Sequence, residues 1–279
     1  MKKIGKIIIG ALAVLLFTGC SSNTKAEKQT EENKVVKLGV VGADTDIWDS
    51  VKERLATEGI DLEYVQFSDY NQPNAALADG SIDLNSFQHQ FFLDNYNEEH
   101  GTDLISIGNT VNAPLGIYSN KLKDVAELKE GANVAIPNDV TNGGRALRLL
   151  QTAGIITLSE DSGQAPTVSD IVENKKNIKI NELDASQTAR SLDDVALAVI
   201  NSGVAVDAGF VPKKDAIYLE PVDDNARPYV NIIVARKEDQ ENKVYQKIVA
   251  TYQTEETEKV IEETSKGSNI PAWTEFGTK

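Results

Sequence analysis

Sulfur and imidazole are scarce in this chain: one cysteine, one methionine and two histidines among 279 residues. Beyond Cys20 no cysteine remains, so no disulfide can brace the rest and a packed core must hold it. His89 and His100 stand apart with no cysteine beside them, which is not zinc-ligand spacing. Asp44, Asp46 and Asp49 open like a calcium loop, but its remaining ligands are missing and Trp48 intrudes; they read as acids at a helix start. There is no Walker A sequence, no Gly-x-Gly-x-x-Gly and no Gly-x-Ser-x-Gly elbow. Without a nucleophile–base pair a surface hydrolase is disfavoured, and no metal or cofactor is expected. Positive charge is also short, 28 Lys and Arg against 43 Asp and Glu, a net of −15. Such acidity argues against nucleic acid and against flat adsorption on anionic lipid. An anionic ligand would have to be drawn in by local groups.

Long apolar runs are missing too. Ile7 to Phe17 is the main one, preceded by Lys2, Lys3 and Lys6, and it is too short for a membrane span. It reads as a signal peptide over residues 1–19, ending in Thr18-Gly19-Cys20. A lone cysteine there resembles a lipobox, with Phe17 where leucine is usual; Cys20 is then the lipidation site. The alternative is an ordinary secretion signal with an incidental thiol. Residues 20–34 hold no large apolar side chain, cannot offset their ordering entropy, and read as a flexible tether. About 245 residues remain, enough for one large domain or two lobes.

From Val35 strand-like and helical runs alternate. The first set is strand 35–42, helix 47–58, strand 61–67, short helix 73–78, strand 82–87, helix 88–99 and strand 104–111. A second set has strand 116–119, helix 125–129, strand 133–136 and a helix after Gly144, then strands 178–183, 196–200, 217–220 and 230–235. Helices 241–252 and 255–264 close the chain, and residues 157–176 read as a polar surface excursion. The rhythm predicts an α/β fold of two lobes, each a mostly parallel sheet flanked by helices. Lobe 1 is assigned 35–113 with 231–279, and lobe 2 is assigned 114–230.

Open α/β sheets bind ligands beyond the carboxyl ends of their strands. Polar residues gather at those ends: Ser68-Asp69-Tyr70, Ser86-Phe87-Gln88-His89, Asn109 to Asn112, Asn138 to Arg145, Asn201 and Asn231. The most informative stretch is Ile136 to Arg145. Thr141 and Asn142 read as N-cap residues, and Gly143 and Gly144 as room for a ligand to approach the backbone. Arg145, expected in the first turn, opposes the helix dipole, which points to an anionic partner held in two-point geometry. The plainer reading is a surface arginine paired with Asp139. Ala146, Leu149, Leu150 and Ala153 keep the spacing of a buried face. Phe87, Phe91 and Phe92 bring three rings near His89, either a cage or ordinary core.

These segments together resemble the methionine-binding lipoproteins of the MetQ/NlpA family, substrate-binding components of ABC importers. The resemblance runs from the lipobox through Trp273. It rests on Asp69-Tyr70-x-x-Pro73-Asn74, Asn85-Ser86-Phe87-Gln88-His89, Gly108-Asn109-Thr110, Gly116-Ile117-Tyr118-Ser119, Pro137-Asn138-Asp139 and Thr141-Asn142-x-Gly144-Arg145. Pro166-Thr167, Ser191-Leu192-Asp193-Asp194, Ala198-Val199-Ile200-Asn201 and Pro228-Tyr229-Val230-Asn231 continue it. It implies a two-lobed binding protein with the ligand in the interlobe cleft. Arg145 and Asn142 would hold the ligand carboxylate, and Asn201 and Asn231 would bond the amino-acid head group. Tyr70, Phe87, His89 and Phe92 would line the side-chain pocket, where a thioether gains contacts of roughly 0.3–1.5 kcal/mol with each ring. Ala113, Phe92 and Val140 depart from common family residues; Val140 replaces a frequent proline and only loosens the loop, whereas the first two leave open L-methionine, D-methionine, a methionine dipeptide or another apolar amino acid. The implied partners are an ABC permease with its ATPase and, through the lipid, the outer face of the cell membrane; a monomer is expected. A surface lipoprotein with a non-transport partner is the contrasting reading.

Overall fold

The computed structural model describes residues 34–279. The expected signal peptide, Cys20 and all but the last residue of the tether lie outside the described residues. The first sheet contains β1 (Lys34–Val41), β2 (Ile60–Phe67), β3 (Leu84–Asn85), β4 (Ile105–Asn112), β12 (Val230–Ala235) and β13 (Ile270–Pro271), in the order β13-β4-β12-β3-β1-β2. The second contains β5 (Gly116–Tyr118), β6 (Asn133–Pro137), β9 (Lys179–Leu183), β10 (Leu197–Ile200) and β11 (Tyr218–Leu219), ordered β11-β5-β10-β6-β9. The polar excursion contains a small hairpin, β7 (Thr157–Leu158) with β8 (Ile171–Glu173). With the first sheet go α1 (Asp46–Ala56), α2 (Pro73–Ala78), α3 (Gln90–His100), α8 (Lys243–Tyr252), α9 (Glu255–Ser265) and α10 (Ala272–Glu275). With the second go α4 (Val140–Thr152), α5 (Ala185–Thr188), α6 (Ser202–Asp207) and α7 (Pro212–Asp215). Among the described residues no helix is long and apolar enough to cross a membrane.

Strand β10 shows why the central strands lack polar positions. Its Leu197 and Val199 join the cluster under α4, with Ala146, Leu149 and Leu150, whereas Ala198 and Ile200 join Tyr118, Leu192 and Ala205 on the opposite face. Side chains alternate between faces, and both faces are covered, so Leu-Ala-Val-Ile is apolar throughout. The first sheet is built likewise. Val36, Leu38 and Val40 pack on Val51, Leu55 and Ile248, while Ile232 and Val234 pack on Leu77 and Leu93 behind.

The sheets are mixed, not mostly parallel. β1 runs parallel to β2 and β3, and β6 to β9 and β10. β12 is antiparallel to β3 and β4, β13 to β4, and β5 to β10 and β11. The cause is topological: the chain leaves the first sheet through β4 and returns beside it through β12, so neighbouring outgoing and incoming strands oppose. Other boundaries shift as well. β3 is two residues long because the chain turns away at Ser86, and the expected helix at 125 is one 3-10 turn, Val125–Glu127.

Three fully buried amides hold that turn. Asn74 Nδ2 donates to Gln88 Oε1 at 2.8 Å, and Asn74 Oδ1 accepts from Asn85 Nδ2 at 2.9 Å and Gln88 Nε2 at 2.5 Å. Gln88 Nε2 also reaches Asn85 Oδ1 at 3.0 Å. Truncating Asn74 strands partners that water cannot reach. Asn74→Ala is expected to lower stability by roughly 2–4 kcal/mol in urea denaturation, since each stranded buried group costs about 1–3 kcal/mol. A loss below about 0.5 kcal/mol, the level of a neutral surface change, would show that the network contributes no such stability.

Candidate functional site

A cavity of about 180 Å³ lies between the two sheets, and all eight predicted residues line it: Tyr70, Phe87, His89, Phe92, Asn142, Arg145, Asn201 and Asn231. Ala113 lines it too. Strand ends deliver most of them: Tyr70 after β2, Phe87 and His89 after β3, Asn142 and Arg145 on the helix after β6, and Asn201 directly after β10. Asn231 lies where one residue of β12 faces two of β4, Thr110 and Val111, and it forms a lone bridge with His89. Irregular pairing of this kind re-aims side chains at a site. The Asn109 to Asn112 cluster does not contribute. Asn109 Nδ2 donates to Gly277 O at 2.7 Å, and Asn112 is buried against Ala226.

Helix α4 differs from its sequence reading in three ways. It begins at Val140, capped by Asp139, whose Oδ1 accepts from Asn142 N at 2.8 Å. Asn142 therefore sits inside the helix and Arg145 in its second turn, and the helix N-terminus is occupied by a carboxylate. The glycines serve packing: a Cβ on Gly143 would lie 2.9 Å from Pro137 O, and one on Gly144 2.9 Å from Ala165 Cα. Arg145 pairs not with Asp139 but with Glu220, Nε to Oε1 at 2.9 Å and Nη2 to Oε2 at 2.5 Å. Nη2 also donates to Ala113 O at 3.2 Å, and the Tyr229 ring lies 4.4 Å from the guanidinium carbon. The two-point fork is thus spent on Glu220. Among the described residues Nη1 has no partner.

Histidine 89 caps α3, its Nδ1 accepting from Phe92 N at 3.0 Å. An accepting Nδ1 places the proton on Nε2, which faces Asn142 Oδ1 at 3.4 Å. Asn142 Oδ1 also accepts from Asn201 Nδ2 at 2.7 Å. Asn201 Oδ1 is buried and, among the described residues, has no partner. Beside these polar groups stands an aromatic wall. Tyr70, Phe87 and Phe92 lie 5.8 to 6.3 Å apart, centroid to centroid. Phe91, one residue along α3, turns away to Tyr229 and leaves the cavity.

Lobe-to-lobe contacts flank the cavity. Asp207 of α6 accepts from Ala43 N at 3.1 Å and Asp44 N at 3.3 Å, and Asn71 Nδ2 donates to Asp184 at 3.3 Å. Asp139, Asp207, Glu220 and Tyr229 escaped the sequence reading as site residues. Glu220 had the same signal as the others, a polar residue at a strand end; Tyr229 had none beyond its place beside Asn231.

Burial, helped by the Arg145 charge, pushes His89 down to about 3. The unfolded chain takes up that proton near 6.5, so this contribution is complete above 6.5 and is lost as pH falls toward 3. Between pH 7 and pH 5 the unfolding free energy should fall by about 2 kcal/mol more than in His89→Asn, which keeps a capping oxygen. Parallel urea curves at the two pH values check this, and equal falls would mean that His89 charges in the folded state.

The chain has counterparts among known proteins. The profile of the NlpA lipoprotein family matches residues 36–273. A probable D-methionine-binding lipoprotein of Vibrio cholerae is 44% identical over 269 residues, covering 95% of this chain and 96% of that one. A nutrient-binding protein of Burkholderia cenocepacia, solved bound to methionine, superposes with a TM-score of 0.81 at 42% identity, covering 85% of this chain and 99% of the other. The substrate-binding protein of a Streptococcus pneumoniae methionine transporter gives 0.81 at 43%, covering 86% and 96%. The match spans both lobes and the cavity between them: the chain belongs to the NlpA lipoprotein family.

Proposed function

We propose that this protein is the extracytoplasmic binding component of an ABC importer, anchored by lipid on Cys20, and that it captures methionine or a close derivative between its lobes. The observation that carries the reading is the pairing, in one cavity, of an unpartnered acceptor, Asn201 Oδ1, with an unpartnered donor edge, Arg145 Nη1. The two suit the ammonium and carboxylate of one amino acid, while Tyr70, Phe87 and Phe92 suit an apolar side chain containing sulfur. Nothing in this set needs a reaction, so we read it as a binding site and not a catalytic one. The methionine and D-methionine named for its relatives agree with this chemistry. The lobe division falls at the crossings near Ala113 and Asn231, which serve as the hinge for closure.

Mass spectrometry of ligand released from freshly purified, denatured protein should find methionine, and calorimetry should show L-methionine binding. Arg145→Ala should weaken that binding at least ~100-fold, since losing a partner of a buried charge costs about 3–5 kcal/mol. Adding Glu220→Gln removes the carboxylate stranded by the first change and keeps a folded protein to measure. An unchanged dissociation constant in both variants would take Arg145 out of the site.

Anchoring has its own test. Two acyl chains give stable attachment where one is marginal. Cys20→Ser should leave the membrane fraction, and a variant still carrying lipid would overturn the assignment.

A further inference from the structure

The acceptor in the cavity is the last member of a hydrogen-bonded chain whose first member is the Asp139 carboxyl; burial pushes that carboxyl up, and the donors of Asn142 and Thr141 aimed at its oxygens pull it back toward the carboxylate. Asp139 Oδ1 and Oδ2 each lie 3.1 Å from Asn142 Nδ2. Oδ1 also accepts from Asn142 N and from Thr141 Oγ1 at 3.0 Å. A carboxylate accepts and cannot donate, so it fixes which end of the Asn142 amide it faces. Nδ2 must point to Asp139, and Oδ1 must point into the site. There Oδ1 accepts from Asn201 Nδ2 at 2.7 Å, which turns Asn201 Oδ1 toward the cavity. If Asn142 were reversed, its NH2 would demand Asn201 Oδ1. The Asn201 NH2 would then face the ligand, a donor where an ammonium needs an acceptor. The reversed amide would also oppose the Nε2 proton of His89, 3.4 Å away.

From this geometry we infer that Asp139 is a positioning residue: through Asn142 it sets Asn201 as the acceptor for the α-ammonium of the ligand and so selects amino acids over other apolar acids. The inference rests on the amino-acid reading above. Asp139 is half-buried and does not line the cavity, so its effect is transmitted and not direct. Its capping of α4 is a separate task, and asparagine is about as good a cap as aspartate.

The separation of the two tasks makes the test. Calorimetry with L-methionine and with its des-amino analogue, 4-(methylthio)butanoate, measures how much the ammonium is worth in wild type, Asp139→Asn and Asp139→Ser. Asp139→Asn sets an NH2 against the Asn142 NH2, and Asp139→Ser keeps a capping oxygen without the two-oxygen grip. Both should lower the preference for L-methionine over the analogue by about 10- to 100-fold, the range for a hydrogen bond to a charged group. Affinity for the analogue should stay within about threefold, or 0.7 kcal/mol. Equal losses for both ligands, or an unchanged preference, would reduce Asp139 to a helix cap and leave the methionine reading standing. A wild-type protein that binds neither ligand would sink both.

Discussion

A guanidinium that is only 4% exposed needs an anion beside it to offset the cost of leaving water, and Glu220 answers that need for Arg145. The pair joins parts of the chain that would otherwise meet only through the cavity. Glu220 Oε2 accepts from Leu115 N at 3.0 Å, and Glu220 N donates to Leu115 O at 2.9 Å. Arg145 reaches Ala113 O and the face of Tyr229. Helix α4, the outgoing crossing at 113–115 and the returning crossing at 229–230 are therefore fastened to one ion pair. The cavity inherits its position from that junction.

A second constraint acts inside the cavity, where several of the polar groups already have a role. The Arg145 fork is filled, the His89 ring is held by a cap on one side and an amide on the other, and Asn142 is committed at both ends. Buried polar networks that are nearly complete leave few orientations for what remains. What remains among the described residues is Asn201 Oδ1, Arg145 Nη1, the Asn231 amide and the Tyr70 hydroxyl beside three aromatic rings, and that set defines the ligand chemistry more narrowly than any single residue does.

Much of this was legible in the sequence because its signals were local. Apolar runs bounded by polar strand ends located the sheets, and six polar clusters at those ends predicted a cleft. The partner of Arg145 was not legible, since Glu220 follows β11, far along the chain from helix α4, and pairing across 75 residues leaves no periodic trace. The start of α4 was misplaced because three of four neighbouring residues, Asp139, Thr141 and Asn142, can all cap; the structure chose the one whose carboxyl also fits the side chain of Asn142. Strand direction was misjudged for a similar reason. Alternation of strands and helices implies parallel neighbours, but the return of the chain from the second lobe is a long-range event that the local rhythm does not record.

That return also dictates an order of assembly. In the first sheet β12 stands between β4 and β3, which do not pair with each other. Until residues 230–235 are available, the first sheet exists as two fragments, β3-β1-β2 and a solitary β4. The second sheet draws all its strands from one uninterrupted stretch, Gly116 to Leu219. During synthesis from the N-terminus, the middle of the polypeptide can therefore complete its sheet first, while the lobe that begins the chain waits for the end of the chain to join its halves.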